Sequence, residues 1–155
     1  MFEGFVEVFE SPDADKSALI KELKELEEKC DEHAFEITQT LIYCTTESLA
    51  GERALRVASL LRVTGELEDI GDCCHRLVQL AHRKYRKNRV LPEETLREIK
   101  AFSEQILDFM ELYQTHLKDG SIPDIEKAQA IEDRIDASRK SLRKNAVKRL
   151  SLIHI

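Results

Sequence analysis

Three side chains that can bind metals or exchange protons, Glu68, Asp72 and His75, lie close together in the sequence. On an α-helix, Glu68 and Asp72 are four positions apart and lie within about 40° of each other, and His75 follows roughly one turn later. The same line of this helix carries Val57 and Leu61, so the carboxylates interrupt a face that is otherwise expected to be buried. Buried carboxylates need a counter-cation, which is either a basic side chain or a metal ion. Oxygen ligands with one histidine suit hard or borderline metals.

A solvated helix face is the alternative interpretation of the same residues. In that arrangement Glu68 and Asp72 pair with Arg62, with Arg76 or with a lysine of a neighbouring helix. His75 is then an ordinary surface histidine. Short patterns of this kind are common, so spacing alone leaves both interpretations open.

Two more carboxylate pairs have the same spacing: Glu27 with Asp31, and Glu132 with Asp136. Each aspartate directly follows an apolar position, which predicts that it lies at the margin of a helix–helix contact. We therefore count Glu27 and Asp31 among the candidate metal ligands. The alternative for each pair is the charged flank of a coiled-coil-like contact.

The elements that must position these side chains are helices. The chain has 155 residues, 42% of them apolar and 35% charged, with 5 glycines, 3 prolines and no tryptophan. So few turn-forming residues argue against a sandwich, a barrel or a βαβ fold. The regular spacing of the apolar residues argues against disorder.

Proline, serine and glycine mark the expected helix boundaries. Pro12, Pro92 and Pro123 each stand near a predicted helix start, Ser48 is a candidate N-cap, and Gly120 is expected to end a helix. These signals predict five helices, over residues 2–10, 13–45, 49–88, 92–118 and 123–151. Short links between them predict antiparallel neighbours, so the fold class is an all-α, antiparallel up-down helical bundle.

An internal repeat divides the predicted helices into two related sets. Residues 5–9 align with residues 109–113 at an offset of 104, and the second carboxylate pair follows the first at an offset of 105. We interpret residues 1–155 as a single helical domain. Residues 1–90 are its first three-helix unit, with a truncated first helix, and residues 91–155 are two helices of an incomplete second unit.

The residues in these segments resemble a known family. The run Leu67-Glu68-Asp69-Ile70-Gly71-Asp72 resembles the Leu-Glu-Arg-Ile-Gly-Asp core of the PhoU family of phosphate-uptake regulators. Its Glu-x-x-Ile-Asp element resembles Glu27-x-x-Cys30-Asp31 and Glu132-x-x-Ile135-Asp136, and residues 146–150 look like the end of its fifth helix. The resemblance covers nearly the whole chain. It departs at Cys73-Cys74, where the family often has His-Ala.

The resemblance implies a non-enzymatic regulatory domain in phosphate uptake, built as a PhoU-like bundle repeat. It implies metal binding, by iron, zinc, manganese or magnesium, at the Glu68-x-x-x-Asp72 motif. It also implies contact with a phosphate transporter, or with the membrane portion of a parent protein if the chain is the cytosolic C-terminal domain of a sodium–phosphate cotransporter. The implied location is the cytoplasm, at the inner face of the membrane.

Other sequence features agree with a cytosolic protein that associates with itself. No run of 18 to 20 apolar residues and no secretory signal is recognisable, and the four cysteines lie in predicted helices as reduced thiols. In an incomplete second unit, Ile131, Ile135 and Leu142 would lack a third helix. Exposed apolar faces usually find a partner, so we expect a homo-oligomer.

Three other function classes were considered. A di-iron carboxylate enzyme would need Glu-x-x-His on two helices, and Asp72-x-x-His75 is the nearest match. A plain helical scaffold or dimerisation module needs no site. The basic runs at 82–89 and 139–149 could bind an anionic surface, although a net charge of −6 and few interleaved aromatics argue against nucleic acid.

Overall fold

The computed structural model describes residues 1–10, 16–45, 51–87, 89–122 and 124–153. These residues form five α-helices and no strand, which confirms the all-α fold class. The helices are α1 (Phe2–Glu10), α2 (Ser17–Thr45), α3 (Glu52–Arg86), α4 (Glu93–Asp119) and α5 (Ile125–Ile153). Within the described part of the chain, no helix is long and apolar enough to cross a membrane.

The helix boundaries follow the local signals where these can be compared. Gly120 stands directly after α4 with a φ of 64°, the left-handed conformation that glycine adopts at helix ends. Pro92 immediately precedes α4. The predicted start near Pro12 and the caps at Ser48 and Pro123 lie outside the described residues.

The chain divides into two compact units, Met1–Arg89 and Val90–Ile155. Unit 1 contains α1, α2 and α3, which all contact one another. Unit 2 contains α4 and α5, which pack as a pair.

In unit 1 the short helix α1 buries one apolar face. Phe2, Phe5 and Val8, spaced three residues apart, are all buried, and Val8 is 0% exposed. Gly4 lies directly under Leu23 of α2, because a Cβ added at Gly4 would come within 2.5 Å of a Leu23 methyl carbon. Glycine therefore permits the close approach of these two helices.

Contacts at both ends of α1 fix its direction. The Met1 sulfur lies beside Gly71 in the middle of α3, and the Tyr85 hydroxyl near the end of α3 donates a hydrogen bond to the carbonyl oxygen of Phe9. The Lys84 ammonium lies 4.5 Å from the centre of the Phe9 ring, a cation–π distance. Helix α1 thus runs parallel to the C-terminal half of α3.

Helix α2 runs antiparallel to α3 and brings their carboxylates to one level. Cys30 is beside Gly71, with 3.9 Å between the Cys30 Cβ and the Cβ that a side chain at Gly71 would have, while Glu27 is beside His75. The α3 residues buried along this line are spaced mostly by three, four or seven positions: Thr64, Gly71, Cys74, Val78 and Ala81. This spacing is that of a coiled-coil-like helix contact.

Polar contacts join the two antiparallel helices of unit 2. Ser138 donates a hydrogen bond to Gln105 at 2.9 Å, and Asn145 and Arg149 donate to the two oxygens of Glu98 at 2.7 and 2.6 Å. Between α4 and α5 there is an open cleft, whose lining includes Phe102, Gln105 and Leu142.

One apolar residue of unit 2 departs from expectation. Ile131 was predicted to lack a third helix as partner, yet the two helices of unit 2 leave it only 8% exposed. Ile135 and Leu142, on the same side of α5, are half-buried. Two helices therefore suffice to cover much of this face, and the exposed large apolar residues in the described part of α5 lie elsewhere, at Ile125, Val147 and Leu150.

The aromatic residues that indicated a repeat make the same contact in both units. The rings of Phe5 and Phe9 are 5.8 Å apart, and those of Phe109 and Tyr113 are 4.7 Å apart. Phe5 is buried whereas its counterpart Phe109 is half-buried, and Phe9 is half-buried whereas its counterpart Tyr113 is 44% exposed. The local pattern is shared, and its burial differs with the number of helices available to cover it.

The Glu98–Arg149 ion pair should make unit 2 sensitive to acid. The Arg149 guanidinium holds the pKa of Glu98 below its usual range, with a second hydrogen bond from Asn145. A carboxylate with a lowered pKa contributes stability that is fully present at neutral pH and is lost as the pH falls below about 4.3, the ordinary pKa of glutamic acid. Glu98→Gln should therefore destabilise the protein at pH 7 and flatten the fall in the free energy of unfolding between about pH 5 and pH 3.

Urea unfolding followed by circular dichroism at several pH values measures this effect. Glu104→Gln is the matched control, because Glu104 lies on the same helix and is exposed. A variant at Glu98 that keeps the native pH dependence would contradict the assigned ion pair.

Candidate metal centre

Three carboxylates converge where α2 crosses the middle of α3. Glu27 and Asp31 stand one turn apart on α2, and Asp72 faces them from α3. One carboxylate oxygen from each of the three lies within 4.8 Å of the others. Glu27 and Asp72 are half-buried and Asp31 is exposed, so the group opens to solvent on one side. We refer to these three residues as the acidic cluster.

His75 joins the cluster through Glu27. Its Nδ1 lies 3.8 Å from Glu27 Oε2, which is too long for a hydrogen bond. The two side chains are only 14% and 19% exposed, and His75 Nδ1 itself is buried without a hydrogen-bond partner. The other ring nitrogen lies 2.5 Å from the Gln79 side-chain nitrogen. A buried imidazole nitrogen without a partner is costly, and a cation or an ordered water would satisfy it.

Glu68 lies on α3 as its motif predicts, but outside the group that the other carboxylates form. It is half-buried on α3, one turn before Asp72, but it does not belong to the acidic cluster. Of the five candidate ligands, the structure thus places three in the acidic cluster and His75 beside it, while Glu68 lies outside.

Basic side chains do not neutralise the acidic cluster. Arg62 pairs with Glu66 at 3.7 Å, and the Arg76 guanidinium donates a hydrogen bond to the Cys73 sulfur at 3.2 Å. Arg76 offers Asp72 only longer-range attraction. Among the residues that the structure describes, no lysine or arginine comes within ion-pair distance of the cluster. The arrangement therefore differs from the solvated, arginine-paired face that was the alternative.

The cysteines beside the cluster differ in their surroundings. Cys74 is 4% exposed, and burial raises the pKa of its thiol, so Cys74 remains protonated at neutral pH. Cys73, in the position where a histidine was expected, is exposed. Cys74 thus packs as a small apolar residue, and the ligand atoms of this region are oxygens and one imidazole nitrogen.

The donor set fits a hard or borderline divalent cation. Oxygen–metal distances are about 2.0 to 2.6 Å, so two oxygens on opposite sides of one ion are roughly 4 to 5 Å apart. The span of the acidic cluster, at most 4.8 Å, lies within that range. An open side leaves room for water or a further ligand.

The related pair in unit 2 has a different environment. Asp136 forms ion pairs with Arg139 at 2.9 Å and with Lys140 at 3.8 Å, both on its own helix. Glu132 is exposed. The second carboxylate pair is therefore the charged helix flank that was the alternative for both. Among the described residues, only the first pair has a third carboxylate opposite it.

Comparison with family models assigns the chain to a known family. A family model described as the PhoU domain matches residues 1–81, just over half of the 155-residue chain. The match includes α1, α2 and all four residues around the acidic cluster. Comparison with curated proteins and with solved structures returned no significant match.

Like charges this close should repel one another when no cation is present. Two carboxylates about 4 Å apart interact unfavourably by about 1 kcal/mol even in water. Asp72→Asn should therefore raise the free energy of unfolding by about 1 kcal/mol in chelator at neutral pH and low salt, and high salt should shrink the gain. Urea unfolding in EDTA measures it.

Asp69→Asn is the control, because Asp69 is an exposed aspartate of the same helix outside the cluster. An equal gain in both variants would mean that overall charge, and not the cluster, sets the effect.

Proposed function

The chain belongs to the PhoU family, and from this we propose that it acts in phosphate homeostasis as a regulatory domain that binds a metal cation through the acidic cluster. A regulatory role in phosphate homeostasis is what the family indicates. The finer assignment to a metal-dependent domain is our proposal. The observation that carries it is the convergence of three carboxylates and an unpartnered imidazole nitrogen, with no lysine or arginine of the described residues paired to them.

A cation at this position would connect two helices. Glu27 and Asp31 belong to α2, and Asp72 and His75 belong to α3, so a shared ion replaces repulsion across the α2–α3 contact with attraction. Binding that requires the folded arrangement stabilises it by mass action. We propose that metal occupancy thereby fixes the packing of unit 1, which sets the surface that it offers to partners.

We propose a phosphate transporter as the partner, at the cytoplasmic face of the membrane. If the chain is the cytosolic domain of a sodium–phosphate cotransporter, the partner is the membrane portion of the same protein. Support for this choice comes from the resemblance to phosphate-uptake regulators. Action by contact rather than by chemistry also agrees with a family whose domains are regulatory.

A di-iron carboxylate enzyme is a weaker candidate for the same residues. That class supplies a Glu-x-x-His pair from each of two helices. Here one histidine, His75, lies beside the cluster, and it is preceded at the matching position by Asp72. His33 on α2 is exposed and lies 3.8 Å from Glu36 of its own helix.

Metal binding should depend on the three clustered carboxylates. We expect Mn²⁺ or Zn²⁺ added to chelator-treated protein to raise its unfolding temperature. At a metal concentration 100 times the dissociation constant, the free energy of unfolding should increase by about 2.7 kcal/mol. Asp72→Asn and Asp31→Asn should each weaken binding at least about tenfold, because each removes a charged ligand from a small set. Isothermal titration calorimetry and thermal unfolding with and without metal measure both effects.

Two further variants separate the competing ligand sets. Glu68→Gln tests the motif pair: if it abolishes binding while Asp31→Asn does not, the metal is held by Glu68 and Asp72 along α3 instead of across α2 and α3. Asp69→Asn should bind metal like the native protein. Equal metal affinity in the native, Asp31→Asn and Asp72→Asn proteins would end the metal proposal.

We also propose that the chain forms homo-oligomers through an exposed stripe on α3. Leu60, Val63, Leu67 and Ile70 are spaced by three and four residues, which places them on one helix face, and they are 39% to 51% exposed. A contiguous aliphatic face of this kind on a soluble domain usually marks a contact with another chain. A second copy supplies an identical and therefore matching stripe.

Light scattering after size-exclusion chromatography tests this contact. Leu60→Ser with Leu67→Ser should shift the protein to a monomer without loss of helicity. Leu80→Ser is the control, because Leu80 is a 55% exposed leucine on a different face of α3. A native protein that is monomeric over the whole concentration range would contradict the proposed contact.

A further inference from the structure

The C-terminal half of α5 has a one-sided charge. Residues 137–151 contain six basic side chains and no acidic one, in a chain whose net charge is −6. Since the whole protein is acidic, attraction to an anionic surface cannot come from its overall charge and has to come from a local concentration of positive charge.

Contacts within unit 2 use only some of these basic residues. Arg149 is committed to Glu98, and Arg139 and Lys140 lie beside Asp136 one turn back. The remaining three are exposed and form no ion pair among the described residues: Arg143, Lys144 and Lys148. Their charge is therefore available to a partner.

Exposed aliphatic side chains lie among these charges. Val147 and Leu150 are each 60% exposed. At 100° per residue they lie on the same broad side of α5 as Arg143, Lys144 and Lys148. This outward face is distinct from the face that contacts α4, which includes the half-buried Leu142.

Aliphatic residues among lysine and arginine suit a lipid surface. The ammonium and guanidinium groups reach anionic headgroups, while short aliphatic side chains enter the boundary between headgroups and acyl chains. A nucleic-acid surface would instead favour aromatic side chains for base stacking, and this face has none. An acidic protein would match the charges but would leave the need for Val147 and Leu150 unexplained.

We propose that this face of α5 docks on the surface of an anionic lipid bilayer. The inference rests on the membrane location in the proposed function and adds the residues that would produce it. It does not use the acidic cluster, the metal or the transporter. Each basic side chain near an anionic bilayer contributes to binding, and the contribution falls with salt because the charges are screened within a Debye length.

Vesicle flotation with the full chain tests the proposal. The vesicles are phosphatidylcholine, alone or mixed with phosphatidylglycerol, at about 0.1 M and about 0.5 M salt. We expect binding only to the mixed vesicles and weaker binding at the higher salt. The triple variant Arg143→Gln, Lys144→Gln, Lys148→Gln should bind on the order of 100-fold more weakly.

A matched control separates local from overall charge. Lys21→Gln, Lys24→Gln, Lys29→Gln removes the same number of charges from exposed positions of α2 and should bind like the native protein. Equal loss in both triple variants would overturn the proposal, as would full binding by the α5 variant. Circular dichroism verifies that each variant keeps its helicity.

Three further measurements complete the test. Val147→Ser with Leu150→Ser should weaken vesicle binding while keeping its salt dependence, and unchanged binding would exclude the bilayer contact proposed for these residues. Protein that binds polyuridylate but neither kind of vesicle would assign the face to nucleic acid and refute the proposal. Asp72→Asn should float with vesicles like the native protein, so that failure of the metal site and failure of membrane docking are distinguishable.

Discussion

Unit 1 is organised around a repulsion that its own side chains leave uncompensated. Glu27, Asp31 and Asp72 are held within 4.8 Å of one another across two helices, and no described lysine or arginine pairs with them. Apolar packing on the neighbouring turns, around Leu23 and Val78, keeps α2 and α3 together despite this charge. The α2–α3 contact therefore combines a constant stabilisation from apolar packing with a carboxylate repulsion that depends on the ions in solution. A contact divided in this way suits regulation better than catalysis.

The two units solve the same packing problem with different chemistry. In unit 1, Gly4 allows a close helix approach, and the buried residues are mostly aliphatic or aromatic. In unit 2, a row of polar contacts centred on Glu98 joins α4 to α5, and Ser103 and Ile131 are its buried residues. Two helices cannot enclose a large apolar core, because each presents only one face to its partner. Polar contacts at the margin of the α4–α5 interface then contribute more to fixing how the two helices align than they do in unit 1.

Periodicity and helix-end chemistry were sufficient to predict the helices and several of their ends. The left-handed Gly120 and the apolar face of α1 needed only local rules. The composition of the acidic cluster was harder to predict, because the vertical register between α2 and α3 decides which turn of one helix meets which turn of the other. A shift of one turn would have placed Glu68 opposite α2 in place of Asp72. This register depends on how side chains that are far apart in sequence interdigitate. It cannot be predicted from the sequence of either helix alone.

The ion pairing of the second carboxylate pair could, by contrast, be predicted in part from the residues that follow it in the sequence. Asp136 is followed at three and four positions by Arg139 and Lys140, which is the spacing at which helical ion pairs form. Asp31 is followed by Ala34 and Phe35 at those positions, and so has no basic neighbour on its own helix. The basic residues one turn further on thus predicted the ion pairing of each aspartate better than the spacing of the acidic residues did.

The shortness of α1 has a consequence for how unit 1 assembles. Nine residues are too few for a stable isolated helix in water, because nucleation costs more than so few backbone hydrogen bonds return. The helical state of α1 must then come from its docking, through Phe2, Phe5 and Val8 along its length and through Tyr85 at its end. The backbone amides of α1 can exchange their hydrogens with water whenever the helix leaves α3. The amide exchange rate of α1 therefore reports how firmly this helix is docked on α2 and α3.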